Sequence, residues 1–346
     1  MKKRITSEKI CETKSYNGVD IVKLICAFFV CIIHIPIFPS KTAGLSFFEQ
    51  DGYGLANFFL AQGICRIAVP FFFVATGFFF FRKTAEHGID KSAVEKYCFK
   101  IFRFIGIWMF LLFVGKTDHM WYLFASVLGV ILLSFCLYKK IKFRYLIIIA
   151  CLLYAIGLLG DLYYGLITPI RNVKFFDYAI ELYERIFFST RNGIFMGFIF
   201  ILIGAMFAYK KIKIPMAAAI IGFVLSMATH YLELFLTSYA SLPRDYNMSV
   251  SLPIAAFFLF YIAINIRLPD RSIYKRLRAI GVLIFYMHFM VEWLTRLAFE
   301  IVFKFTETDL LPQLFPTVIC IVVALSVLIE WLSRKEKLAF LKYLYE

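Results

Sequence analysis

Lys23 and His34 stand in one apolar run, VDIVKLICAFFVCIIH (19–34). Successive residues of an α-helix turn by about 100°, so these two share a face about 16 Å apart along the axis, and Asp20 lies on the same stripe. A neutral imidazole can take a proton from a hydroxyl, and an ammonium can guide an anion towards it. A second run, IGVLIFYMHFMVEWLTR (280–296), sets His288, Glu292 and Arg296 on one helical face. A carboxylate between an imidazole and a guanidinium stays ionised and can orient the imidazole and raise its basicity. His230 and Glu233 form a further polar pair. In KYCFKIFRF (96–104), Lys96, Lys100 and Arg103 make a basic stripe that suits the phosphates of a soluble donor. The same spacings are met by plainer arrangements: Lys23 snorkelling or paired with Asp20, His34 satisfied in a core, and Glu292–Arg296 as a structural ion pair. Basic residues at 96–103 are also what a membrane boundary demands by itself. His119, beside Trp121 and Tyr122 in GKTDHMWYL, reads as interfacial, with the two aromatic residues as belt positions.

The elements that must hold these residues are membrane helices. Of the 346 residues 62% are hydrophobic and 19% aromatic, with a mean hydropathy of +0.79, outside the range of water-soluble domains. Runs long enough to span fall near 19–38, 55–81, 99–115, 121–138, 145–160, 192–209, 214–236, 250–266, 279–303 and 313–332. None shows the alternation of a barrel strand. With the N-terminus inside, the inner segments hold 27 of the 38 Lys and Arg residues and the outer loops 8. The expected fold is therefore all-α, a polytopic membrane protein with about ten transmembrane helices and both termini cytoplasmic. It divides into a cytoplasmic segment (1–18), a ten-helix membrane domain (19–332) and a basic amphipathic tail (333–346) that lies on the inner surface or begins a linker. The net charge of +15 then matches an anionic inner leaflet, with no role for nucleic acid. The eight cysteines lack C-x-x-C spacing, so no metal site or disulfide framework is expected. The longest outer loop, 161–191, has mixed charge and either covers an outer vestibule or is a solvated linker.

The first run, then RIAVPFFFVATGFFFF (66–81), then Lys100 and Arg103, then HMWYL (119–123), then LRAIGVLIFYMHFMV (277–291), together resemble the acyltransferase-3 family of membrane proteins. The motifs occur in order along nearly the whole chain. The resemblance implies ten core helices and transfer of an acyl group, commonly acetyl from cytoplasmic acetyl-CoA, to a cell-envelope acceptor. It implies a basic residue and a histidine in helix 1, here Lys23 and His34, a small-residue turn at Thr76-Gly77-Phe78, and a CoA-associated basic pair, here Lys100 and Arg103. Lysine replaces the more usual arginine at positions 23 and 100, which keeps charge and loses bidentate contact. His34 is then the reacting residue, supported by Glu292 and His288. Lys23, Lys100 and Arg103 meet the donor, and Arg66, Arg296 and Asp20 the acceptor. TRNGIFMGFIFILIGA (190–205) and the lysine of the first motif are most similar to the membrane portion of vancomycin-resistance serine racemases, which implies a bacterial cytoplasmic membrane. In that setting the polar interior would bind L-serine, its carboxylate on Arg66 or Arg296 and its ammonium on Glu292. A pyridoxal-phosphate racemase domain would be a partner, and this chain by itself is expected neither to bind pyridoxal phosphate nor to racemise serine.

Overall fold

The computed structural model describes residues 15–42, 47–85, 88–111, 120–187, 189–305 and 307–346, and among them helix is the regular structure, with no strand. Apolar segments that cannot pair their backbone with water must pair it within themselves, which makes helices of the long runs. The first, α1 (Asn17–His34), ends four residues before its apolar run does. Pro36 follows, and the residue before a proline is pushed out of the helical region; Ile35 is extended at φ −124°, ψ 110°. His34 is thus the last residue of α1, at the helix mouth.

The second membrane element is broken. It runs as α2 (Gly52–Phe58), a π-turn (Phe59–Gly63), a 3-10 turn (Ile64–Ile67) and α3 (Ala68–Ala85). Gly63 leaves the helical region at ψ −110°, and Pro70 has no N–H to offer the carbonyl of Arg66. Backbone groups freed at such a break need other partners. Two neighbouring side chains of α9 (Met216–Tyr239) supply them. His230 Nε2 donates to the Gln62 carbonyl at 3.0 Å, and the Tyr231 hydroxyl accepts from the Ile64 N–H at 3.0 Å. Gly63 lets the Tyr231 ring reach that position, because a Cβ there would overlap the ring.

The remaining helices are α4 (Lys91–Leu111), α5 (Trp121–Tyr138), α6 (Phe143–Leu159), α7 (Lys174–Phe187), α8 (Phe198–Tyr209, entered by a π-turn at Gly193–Gly197), α10 (Leu252–Asn265), α11 (Ile273–Val302) and α12 (Glu307–Leu332). Helix α3 crosses α8 at backbone distance, where Gly77 and Gly204 face each other's chain. This is the small-residue packing that lets membrane helices approach closely. Thr76-Gly77-Phe78, expected as a turn, lies inside continuous α3, where Gly77 serves the crossing. Helix α1 packs on α3 and α11, and α11 on α12.

Each of the ten apolar runs carries a helix, and among the described residues six of these are long and apolar enough to cross a membrane. They are Asn17–His34, Gly52–Ala85, Trp121–Tyr138, Met216–Tyr239, Ile273–Val302 and Pro312–Leu332; a seventh forms if α6 and the turns at Tyr164–Asn172, bent by 80°, count as one span. Gly193–Tyr209 and Leu252–Asn265 are shorter than the roughly twenty residues a bilayer asks for. The 161–191 loop is folded: two 3-10 turns lead into amphipathic α7, which covers a cavity. The tail forms a 3-10 helix, Glu336–Leu344, that turns back on α4, with Trp108 Nε1 donating to the Leu344 carbonyl at 3.1 Å.

Candidate functional site: two cavities joined by a histidine pair

The stripe on α1 runs between two cavities. The first, of about 150 Å³, is walled by Phe72, Phe285 and Tyr286 and faced by the cations Lys23 and Arg278. Thr76 and Tyr122 close its floor with hydroxyls 3.0 Å apart. Gly281 of α11 lies close to the backbone of Leu24 there, which brings Arg278 one turn earlier to the cavity beside Lys23. Tyr122, expected at the interface, is instead part of this wall, because α5 turns it towards α3. His119 lies outside the described residues.

The second cavity, of about 40 Å³, holds His34, Arg66, Arg191, Trp121 and Asn247. Arg66 comes from the 3-10 turn of the broken helix, so the clamp by His230 and Tyr231 is what positions it. Its Nε donates to Gln62 Oε1 at 2.6 Å, a second N–H meets the same oxygen, and its third nitrogen donates to Asn247 Oδ1 at 2.7 Å. Asn247 Nδ2 in turn donates to Asp161 Oδ2 at 3.0 Å, while the Met248 N–H donates to Asp161 Oδ1 at 3.0 Å. Arg66 and Asp161 are therefore a cation and a carboxylate coupled through one amide. Arg191 stands over the Trp121 ring at 5.2 Å, just before Asn192, whose side chain accepts the first N–H groups of the π-turn that opens α8.

Between the cavities, His34 stacks on His288 with ring centroids 5.6 Å apart, and both touch Phe289 at 4.5 Å. His288 is wholly buried, and its Nδ1 lies 2.7 Å from the Phe285 carbonyl. A carbonyl only accepts, so Nδ1 carries a proton and donates there. His34 is the exposed member of the pair. Phe285 both lines the first cavity and touches His288, so the order Lys23, Phe285, His288, His34, Arg66 runs from one cavity to the other.

Other expected site residues stand elsewhere. Asp20 is buried in an ion pair with Arg278 at 3.8 Å, while Lys23 lies over the Phe79 ring at 4.7 Å. Glu292 is bound to Arg296 one turn along α11, and neither lines either cavity. Lys100 is exposed on α4, and Arg103 stacks on Tyr343 of the tail at 5.1 Å. His230 and Glu233, a pair by spacing, do separate work: Glu233 accepts from the N–H of Val250 at 2.8 Å and the hydroxyl of Tyr163 at 2.9 Å. Arg191, Asn247 and Arg278 were not marked by the sequence. The first two follow or precede helices in polar loops, and the third sits among boundary cations.

Residues 16–334 match the family model for an acyltransferase domain. The chain belongs to the acyltransferase-3 family, and with its long apolar helices it is a multi-pass membrane protein of that class. Among curated proteins it is similar to an amino-acid racemase of Enterococcus faecalis, 30% identical over 215 residues, which is 56% of this chain and 28% of that protein. A second amino-acid racemase of Enterococcus faecalis is 28% identical over 282 residues, 72% of this chain and 37% of the other. A serine/alanine racemase of Enterococcus gallinarum is 26% identical over 271 residues, 70% and 36% respectively. The chain spans about a third of the length of these relatives. No solved structure matches it.

Proposed function

We propose that the protein transfers an acyl group, acetyl in the first instance, from cytoplasmic acyl-CoA to an acceptor on the opposite side of a bacterial cytoplasmic membrane. In this reading ten helices span, with both termini on the side rich in Lys and Arg. The donor enters at the basic end, where Lys100, Arg103, Arg278 and Lys23 attract its phosphates, and its thioester reaches the histidine pair. His34 takes the proton of the acceptor hydroxyl as oxygen attacks the thioester carbonyl. Arg66 and Arg191 offer N–H donors to the oxyanion, and the proton then passes to the departing CoA thiolate. His288, with Nδ1 held by a carbonyl, fixes the plane against which His34 stacks.

The observation that carries this reading is His34 itself, an exposed imidazole in the wall of a cavity with two guanidiniums, on one stripe with a lysine in a second cavity. The names of the relatives favour a second reading, an L-serine site with the carboxylate on Arg66 and Arg191. The small size of the second cavity, about 40 Å³, favours a small group such as acetyl over a whole serine. The test is release of free CoA thiol from acetyl-CoA by the purified protein, with a loss of about 100-fold or more in His34→Ala. Saturable L-serine binding with no thiol release would overturn the proposal.

A further inference from the structure

A third cavity, of about 700 Å³, lies beneath α7, between it, the end of α6 and the Arg244–Asp245 loop. Its size is that of a small-molecule site, and hydrocarbon from Ile156, Ile167, Phe176 and Ile180 makes up most of its wall. Three carboxylates face it, those of Asp161, Glu184 and Asp245, with one guanidinium, Arg244. Arg244 is bound to Glu184, so those charges cancel. Asp161 and Asp245 have no ion-pair partner within 4 Å among the described residues, and Asp161 is only 1% exposed. Thr190 lines the same cavity, 2% exposed, with its Oγ1 lacking a hydrogen-bond partner among the described residues. Buried hydroxyls are nearly always paired, so this one points to a missing group.

We propose that this cavity binds an organic ammonium with an apolar body, the cation between the Asp161 and Asp245 carboxylates, a hydrogen-bonding group at Thr190, and hydrocarbon along the α6–α7 wall. Burial, with Asp245 beside it, pushes the Asp161 carboxyl up to about 6, a cost that a cation placed there removes. Two carboxylates in an apolar wall do not make the shell of six or more oxygens that a calcium or magnesium ion takes. The site is also wired to the second cavity, because Asn247 donates to Asp161 and accepts from Arg66. As a place where an acyl acceptor waits, linked through Asn247 to the cavity that holds His34, it rests on the function proposed above; as an ammonium site it does not.

The test uses the full chain in lipid nanodiscs and three probes that differ chiefly in charge: phenethylamine, 2-phenylethanol and 3-phenylpropionate. Phenethylamine is expected to bind saturably, at least tenfold more tightly than the alcohol, with the acid not bound. Asp245→Asn, which leaves the Asp161–Asn247 bonds untouched, weakens phenethylamine about tenfold, and Thr190→Val weakens it several-fold. Equal binding of alcohol and amine, or an Asp245→Asn variant that binds as the parent does, overturns the inference. His34→Ala separates the two proposals: amine binding that survives it while no thiol release is found in the parent fells only the transferase, and thiol release without amine binding fells only the ammonium site.

Discussion

Replacing Gly204 by alanine should part α3 from α8. A Cβ at this position would lie 3.0 Å from the carbonyl carbon of Gly77 and closer still to the Val74 carbonyl oxygen, where ordinary contact is 3.4–4 Å. Both obstacles are backbone, which cannot rotate away as a side chain would. The helices must separate by something on the order of 1 Å, and overpacking of this kind typically costs about 1–3 kcal/mol. In a chain of this length that is a fall in Tm of roughly 1–4 °C. The displacement also reaches the first cavity, because Thr76 precedes Gly77 and its bond to Tyr122 is already 3.0 Å. Thermal unfolding followed by tryptophan fluorescence in one detergent measures the effect, with Gly106→Ala as the reference. Gly106 sits on exposed α4 with nothing within 4 Å of its Cβ position, so alanine there should be neutral or stabilise by about 0.5–1 kcal/mol. If Gly204→Ala melts with Gly106→Ala, the close crossing of α3 and α8 is wrong.

Three further outcomes follow from the site. Tyr231→Phe removes the acceptor of the Ile64 N–H and should lower stability by about 1–3 kcal/mol, and His230→Leu should do the same at the Gln62 carbonyl; both are read by thermal unfolding, and neither should change Tm if the break is satisfied in another way. Arg66→Lys keeps the charge and loses the fork that holds Gln62 and Asn247 together, so acetyl turnover should fall about tenfold or more while the Tm changes little; a fully active lysine variant would refute the need for that geometry. The raised pKa of Asp161 makes the folded chain the better proton binder. Its contribution to stability is present at the low-pH end and is lost as pH rises from the usual carboxylate range to about 6, and a scan of Tm with pH should show that slope in the parent and not in Asp161→Asn.

The positions of the helices could be read from sequence because burial in lipid makes apolar run length a direct signal, and every expected run carries a helix, six of them long enough to span among the described residues. The polar stripe of α1 was also legible, since Lys23 and His34 sit on one rigid helix and periodicity fixes their relation. What periodicity lacks is the neighbour. Arg278 faces its cavity from α11 and Arg191 from the loop before α8, elements whose packing depends on glycines at 281 and 193, and the Thr76 hydroxyl meets Tyr122 only because α3, α5 and α8 come within backbone reach. Glu292 and Arg296 had good spacing on α11, but spacing gave their relation to each other and to His288, not to a cavity. The break in the second membrane element was hidden because Gly63 and Pro70 are tolerated in membrane helices, where a partner helix decides whether they bend the chain.

The two side chains that satisfy that break have a mechanical consequence. Sliding the broken helix along α9 would strip partners from a part-buried carbonyl and a part-buried amide at once, at a cost of a few kcal/mol, so these elements behave as one strut. The contacts between α1 and α11 around His34, His288 and Phe289 are ring contacts, one stacked and two tilted, and ring contacts are less directional than hydrogen bonds. Any passage that opens between the two cavities therefore opens at the ring stack, with Arg66 and Asn247 as the fixed bank against which it moves.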